Sequence, residues 1–219
     1  MESNRKNDHK AEREVAAFLD ENLYSNTSLF KEFARTDGVD EQLKGSDVIL
    51  STADAKLDRK VVDEKVAIRY ANLDLDTFSL ELSFINRSGL QNIGWFLDQS
   101  KSTEYYLLGW IKNADIPYDN EKKKWDVYSI SRDNIRELDW ALVSRNKIVK
   151  WLDKNGWTLD KLARQNKKIR EVGSVKTTDF IDGISFRYSW KYVERPINIL
   201  LKKETYMELA DLKGTVYKK

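Results

Sequence analysis

Apolar residues are spaced in two distinct periods along this chain, and the periods predict its elements. From 8 to 23, Ala11, Val15, Ala16, Phe18, Leu19 and Leu23 recur three and four residues apart, the period of an amphipathic helix. The segment 45–51 is a short β-branched run, 52–60 is polar enough to turn, and 61–70 resumes strand character, so a β-hairpin is expected there. From 77 to 85, Phe78, Leu80, Leu82 and Phe84 alternate with Thr77, Ser79, Glu81 and Ser83, which predicts a third strand with one polar face. Helical spacing returns over 90–99, and the dense aromatic and aliphatic run 104–111 fits a buried strand. The order is therefore α-β-β-β-α-β. Beyond it, 125–130 predicts a strand, and 133–155 and 158–171 predict two helices broken at Asn155-Gly156. Strands at 184–190 and 197–202 precede a closing helix over 204–212.

Composition narrows the architecture. With 219 residues, 41% hydrophobic content, two prolines and nine glycines, one domain spanning 1–219 is expected. Its core is placed at about 8–132, with a helical and then β extension at about 133–219 packed on it. The 38 Lys and Arg nearly cancel the 36 Asp and Glu, so a polyanion has to be attracted by local patches. No run of 18 apolar residues occurs and the first residues are polar, so neither a membrane span nor a signal peptide is expected and the protein is read as cytoplasmic.

The missing residue types exclude more than the present ones suggest. There is no cysteine and one histidine, His9 in the charged N-terminal stretch. Disulfides, thiolate zinc sites, cysteine nucleophiles and Ser-His-Asp triads drop out. Any chemistry must rest on carboxylates, lysines, hydroxyls and a borrowed cation.

Acidic-any-Lys triplets stand at 8–10, 54–56, 58–60, 63–65, 121–123 and 211–213. Only Asp63-Glu64-Lys65 is embedded in a β-branched run, Val61-Val62 before it and Val66-Ala67-Ile68 after. Strand alternation sets Asp63 and Lys65 on one face, roughly 6 to 7 Å apart, where they can share a phosphate. A divalent-ion site needs a second carboxylate, because Mg²⁺ prefers oxygen ligands. Asp47, opening the preceding strand after Lys44-Gly45-Ser46, supplies it if the turn 52–60 folds that strand back beside 61–68.

In these residues and this order of elements the sequence resembles the PD-(D/E)XK, or restriction endonuclease-like, nuclease superfamily. The resemblance covers about 8–111. It implies an α/β fold in which a central mixed sheet is flanked by helices, with Asp47 and Asp63 as metal ligands and Lys65 as the lysine that assists the attacking water. It also implies a helix carboxylate, for which Glu12 is preferred to Glu14, and a further acidic residue on the next strand, Glu81. The family's triplet usually has an apolar middle residue, whereas Glu64 here points into the face of Val62, Val66 and Ile68; a one-residue shift in register would make Glu64 the ligand instead of Asp63. The implied cofactor is Mg²⁺, or Mn²⁺, and the implied partner is nucleic acid, DNA rather than RNA, with no membrane. A homodimer is compatible with the sequence.

Phosphoryl transfer then follows general physics. A cation neutralises charge on the phosphate, while Lys65, desolvated beside it, is expected to have a depressed pKa and to help deprotonate the water. Lys44 and the cluster Lys122-Lys123-Lys124 are candidates for phosphate contacts, the cluster alternatively being a solvated hairpin tip. Arg187, Lys191 and Arg195 either line a nucleic-acid cleft or keep the surface soluble. Two other functions compete with cutting: a catalytically inactive nucleic-acid-binding protein of the same fold, and a protein-interaction factor such as a phage or mobile-element protein.

Overall fold

A computed structural model describes residues 5–36, 44–175 and 179–219. The chain is a mixed α/β structure divided into two compact units that interleave in sequence. The larger is built from residues up to Leu75, Ser102–Ser144 and Ala210–Lys219, the smaller chiefly from Asp76–Lys101 and Arg145–Leu209. The division does not fall at 132, where the sequence placed the end of a core.

In the larger unit the expected amphipathic helix is α1, Arg5–Leu19, which runs on through one π-helical turn, Asp20–Tyr24. Ala11, Val15, Phe18, Leu19 and Leu23 are its buried stripe, the residues whose spacing predicted it. Six strands follow: β1 Phe30–Arg35, β2 Val48–Thr52, β3 Lys60–Val66, then β6 Tyr105–Ala114, β9 Ile135–Ser144 and β12 Leu212–Tyr217, hydrogen-bonded in that order. The pairings β1–β2 and β2–β3 are antiparallel, β3–β6 parallel, and β6–β9 and β9–β12 antiparallel. Val15, Phe18 and Leu19 join Val48, Leu50, Val62, Leu107, Leu138 and Leu142 in one apolar core. A two-stranded hairpin, β7 Tyr118–Asp119 and β8 Lys124–Trp125, belongs to the same unit.

The smaller unit has its own antiparallel sheet, ordered β10–β11–β4–β5, with β4 Thr77–Ile85, β5 Gln91–Ile93, β10 Ser185–Tyr188 and β11 Ile197–Lys202. Its helices are α2 Arg145–Lys154, α3 Leu159–Val172 and α4 Lys203–Leu209. Capping sets the limits of α3: the Thr158 side chain accepts from the Lys161 N–H, and Gly173 ends the helix at φ 73°, a left-handed conformation that glycine adopts without steric cost.

Several expectations are corrected. The strand 77–85 exists, but in the sheet of the smaller unit rather than as the third strand beside the hairpin. The segment 90–99 is no helix; it holds β5 and turns. A Cβ at Gly94 would lie 2.4 Å from the backbone oxygen of Glu81, so β4 and the segment after β5 approach too closely for a helix to intervene. The first part of 133–155 is strand β9 and only Arg145–Lys154 is helical. The closing helix stops at Leu209 and gives way to β12. Strand 125–130 shrinks to β8 and a 3-10 turn at Val127–Ser129. Strand β1 has no counterpart in the pattern analysis. Among the described residues no helix is long and apolar enough to cross a membrane.

Candidate active site

Two strands set the geometry. The β2–β3 register pairs Val48 with Val62, Ile49 with Val61 and Leu50 with Lys60, and continuing it by one residue places Asp47 across from Asp63. The Asp47 N–H donates to the Val62 carbonyl at 2.9 Å, and the Asp47 Oδ2 accepts the Glu64 N–H at 2.8 Å. Gly45, at φ 75°, turns the chain into this position without steric cost, and there Thr103 Oγ1 donates to the Gly45 carbonyl at 2.7 Å and the Thr36 N–H to the Asp47 carbonyl at 3.1 Å. Asp47 is thus held by backbone on both sides. The charge of its carboxyl group acts on Asp63.

Alternation on β3 does the rest. Asp63 and Lys65 share a face, and Lys65 Nζ donates to Asp63 Oδ1 in a close ion pair. In the parallel register Asp63 stands beside Tyr106 of β6 and Lys65 beside Leu108. Asp63 is 3% exposed. Asp47, Asp63 and Lys65 are therefore brought together as the hairpin predicts.

Charge and burial shift these groups strongly. Burial pushes the Asp63 carboxyl from 3.8 up to about 6, with Lys65 opposing and the Asp47 charge adding to the rise. For Lys65, burial works against the ammonium, yet Asp63 and Asp47, and less so Glu12, outweigh it and hold the group above its ordinary range. Two carboxylates surround Lys65, and anions favour the charged form of an amine; the expected depression concerns a lysine beside a bound cation.

The opposite face of β3 holds a network that pattern reading missed. Glu64 is half-buried there, accepting from the Tyr24 hydroxyl at 2.7 Å and from Arg35 Nη1 at 2.5 Å. Arg35 also donates to Asp20 Oδ1 at 2.7 Å and to the Ala16 carbonyl at 2.9 Å. One guanidinium so links α1, its π-helical turn, β1 and β3. Burial raises the Glu64 carboxyl while Arg35 and Tyr24 pull it back. The only sequence signal was an acidic residue on the core face of a strand, which must find a partner. The arrangement also fixes the register, since Glu64 is committed to Arg35 and Asp63 is the residue beside Lys65.

The remaining candidates are placed elsewhere. Glu12 is exposed on α1, its Oε2 3.1 Å from His9 Nδ1, and acts on Lys65 only as a more distant charge. Glu14 accepts the Arg132 N–H at 3.0 Å. Glu81 belongs to β4 of the smaller unit, where it lines an open cleft with Phe84, Gln91, Ile93 and Trp95. Lys44 is exposed, and its carbonyl holds the Ser102 N–H at 2.9 Å. Lys122, Lys123 and Lys124 sit at the β7–β8 hairpin, Lys122 paired with Asp119 at 2.8 Å.

Among the described residues no group of three or more His, Cys, Asp or Glu side chains converges on one point. The donor set is two adjacent carboxylates, whose repulsion adds to the burial that raises Asp63. Such a pair suits a hard divalent cation that takes few protein ligands and keeps several waters. No protein-family model matches the chain, and no curated protein or solved structure is significantly similar to it.

Proposed function

We propose that the chain is a metal-dependent nuclease that hydrolyses phosphodiester bonds, with DNA as its substrate, on a core of the restriction endonuclease-like kind. The reading is carried by one observation: Asp47 and Asp63 face each other across the β2–β3 hairpin with Lys65 against Asp63. It is supported by the helix that precedes the hairpin and the strand β6 that lies parallel to β3.

Asp47 and Asp63 are the residues that would hold Mg²⁺ or Mn²⁺. The bound cation supplies positive charge to a phosphate oxygen and acidifies water. Facing bare carboxylates, Lys65 is held as an ammonium. Its role is to stand against the phosphate and donate to a phosphoryl oxygen as charge builds there. In hydrolysis the water oxygen bonds to phosphorus and gives up a proton to solvent, the ester P–O bond breaks, and the leaving oxygen takes a proton from solvent. Glu64, Tyr24 and Arg35 position β3 from behind and do not touch the reacting atoms.

The test is incubation with plasmid, linear duplex, single-stranded DNA and RNA in Mg²⁺, Mn²⁺ or EDTA. Cation-dependent cleavage that falls at least about a hundredfold in Asp63→Ala and Lys65→Ala is expected, the scale of losing transition-state charge stabilisation. Full cleavage by Lys65→Ala would overturn the assignment. A second reading, an inactive nucleic-acid-binding protein on this fold, is favoured by the mutual neutralisation of Asp63 and Lys65, and predicts binding without cleavage in every cation.

A further inference from the structure

The smaller unit carries the positive charge of the chain. Its segments 76–101 and 145–209 contain 17 Lys and Arg against 11 Asp and Glu, a net +6 within a chain of net +2. Part of that charge is gathered at one end of its sheet, where three pieces of backbone meet. The Ile85 N–H donates to the Glu194 carbonyl at 2.6 Å, joining the β4–β5 turn to the β10–β11 loop. Arg170 Nη1 donates to the Arg195 carbonyl at 2.7 Å, joining the last turn of α3 to the same loop. Internal bonds shape the loop itself: the Ser189 N–H donates to the Pro196 carbonyl at 3.0 Å, and the Arg195 N–H to the Tyr192 carbonyl at 3.2 Å.

This end presents apolar rings and cations together. Trp190 is 62% exposed and Tyr192 52%, unusual for side chains that normally bury most of their surface. Lys191 and Arg195 in the same loop, and Arg87 two residues beyond Ile85, are exposed. Lys191 Nζ lies 5.4 Å from the centre of the Trp190 ring, so that charge and ring face share one platform. Behind them Arg170 lies over Tyr188 at 5.4 Å, with its Nε buried and without a hydrogen bond. Burial, and to a lesser degree Arg195, draws Arg170 below its ordinary range against the pull of Tyr188. Positive charge is crowded here, and Glu194 is the one acidic residue in the loop.

We infer that this end of the smaller unit is a docking surface for unpaired nucleic acid, with Trp190 stacking on a base and Arg87, Lys191 and Arg195 meeting phosphates. Three features favour this occupant. The cations complement a polyanion. An exposed indole ring beside cations is the platform on which single strands stack. A duplex offers the same phosphates but keeps its base faces covered. The inference reaches beyond the cutting reaction and does not rest on it, because binding is read where no cation is available.

The experiment is fluorescence anisotropy of a labelled oligothymidine of about 15 nucleotides, and of a duplex of equal length, with the full chain in EDTA over a range of salt. The wild type is expected to bind the single strand more tightly than the duplex. Trp190→Ala should weaken it by roughly 5- to 100-fold, the range found for removing one stacking partner, and Trp190→Phe should restore most of the loss. The double variant Lys191→Gln/Arg195→Gln should lower the slope of log affinity against log salt by about 1.4, near 0.7 for each phosphate contact removed from a single strand. No binding at low salt, an equal or greater affinity for duplex, or unchanged affinity and slope in these variants would overturn the inference. Cleavage that depends on Asp63 without any dependence of binding on Trp190 leaves the nuclease reading standing and removes this one; the opposite pattern does the reverse.

Discussion

At the scale of single residues, the decisive feature is a carboxylate kept where it is costly. Asp63 is buried beside Asp47, and its carboxyl is pushed up to about 6. The folded protein therefore binds this proton more tightly than the unfolded chain does. Linkage then requires that ionising Asp63 removes stability as pH rises from about 4 through about 6, up to about 3 kcal/mol for a shift of this size. Asp63→Asn should accordingly be more stable than wild type at pH 8, and the gain should shrink toward zero at pH 4, as read from urea midpoints across that range. A gain that is flat with pH would show that the charge is not the cause. If the same variant is also inactive, the strain belongs to function, since natural sites hold unfavourable groups only where something else selects them. Arg35 makes the complementary case. Arg35→Met leaves half-buried Glu64 without its cation, which costs up to about 3–5 kcal/mol. Adding Glu64→Gln should recover a large part of that, measured as a double-mutant cycle by urea denaturation. Simple additivity of the two losses would mean that the ion pair is not what holds α1 and β1 to β3.

Elements show which kinds of information a linear pattern carries. Helices α1 and α3 were legible because one face of each is buried and the other is not, so the period of apolar residues reports the geometry directly, while the β2–β3 hairpin and β6 were legible as short β-branched or dense apolar runs. The pair Asp47 and Asp63 was legible for the same reason, through hairpin register. Strand β9 was not, because Ile135, Leu138, Trp140, Ala141, Leu142 and Val143, buried on both faces of the strand, form a nearly continuous run, whose spacing also suits a helix. The sheet to which β4 belongs was beyond reach, since its neighbour β11 is more than a hundred residues away in the chain. Glu64 was invisible as a network residue because its partners Tyr24 and Arg35 lie 40 and 29 positions away. Gly94 is the instructive error: it sat at helical spacing, but its missing side chain permits close approach to β4. Gly94→Ala forces a Cβ against the Glu81 backbone at 2.4 Å, where no rotamer can yield. It should destabilise the smaller unit by at least about 1–3 kcal/mol, the cost of overpacking. Hydrogen exchange is the measurement: amides of β4 and β5 should lose protection first, and unchanged protection there would show that the backbones separate without penalty.

On the scale of the whole molecule, charge is divided as the chain is. The smaller unit carries +6, so the remainder, with 21 Lys and Arg against 25 Asp and Glu, carries −4. Asp63, buried, and Asp47, half-buried, therefore sit in an acidic unit, where a bound cation would relieve their repulsion. Any ligand that binds only the folded chain stabilises it by RT ln(1 + [L]/Kd). For a site of millimolar affinity, about 10 mM MgCl₂ contributes roughly 1.4 kcal/mol, or a rise in Tm of about 3–6 °C for a chain of this length. EDTA should abolish the rise, and Asp47→Asn/Asp63→Asn should be insensitive to Mg²⁺, with NaCl at equal ionic strength as the control for screening. The proton competes with the cation for Asp63, so the wild-type shift should diminish as pH falls through about 6. That pH dependence separates binding at the hairpin from binding anywhere else: an exposed carboxylate would lose its cation near pH 4, and a shift that persists unchanged at pH 5, or that survives in the double variant, would place the cation away from Asp47 and Asp63.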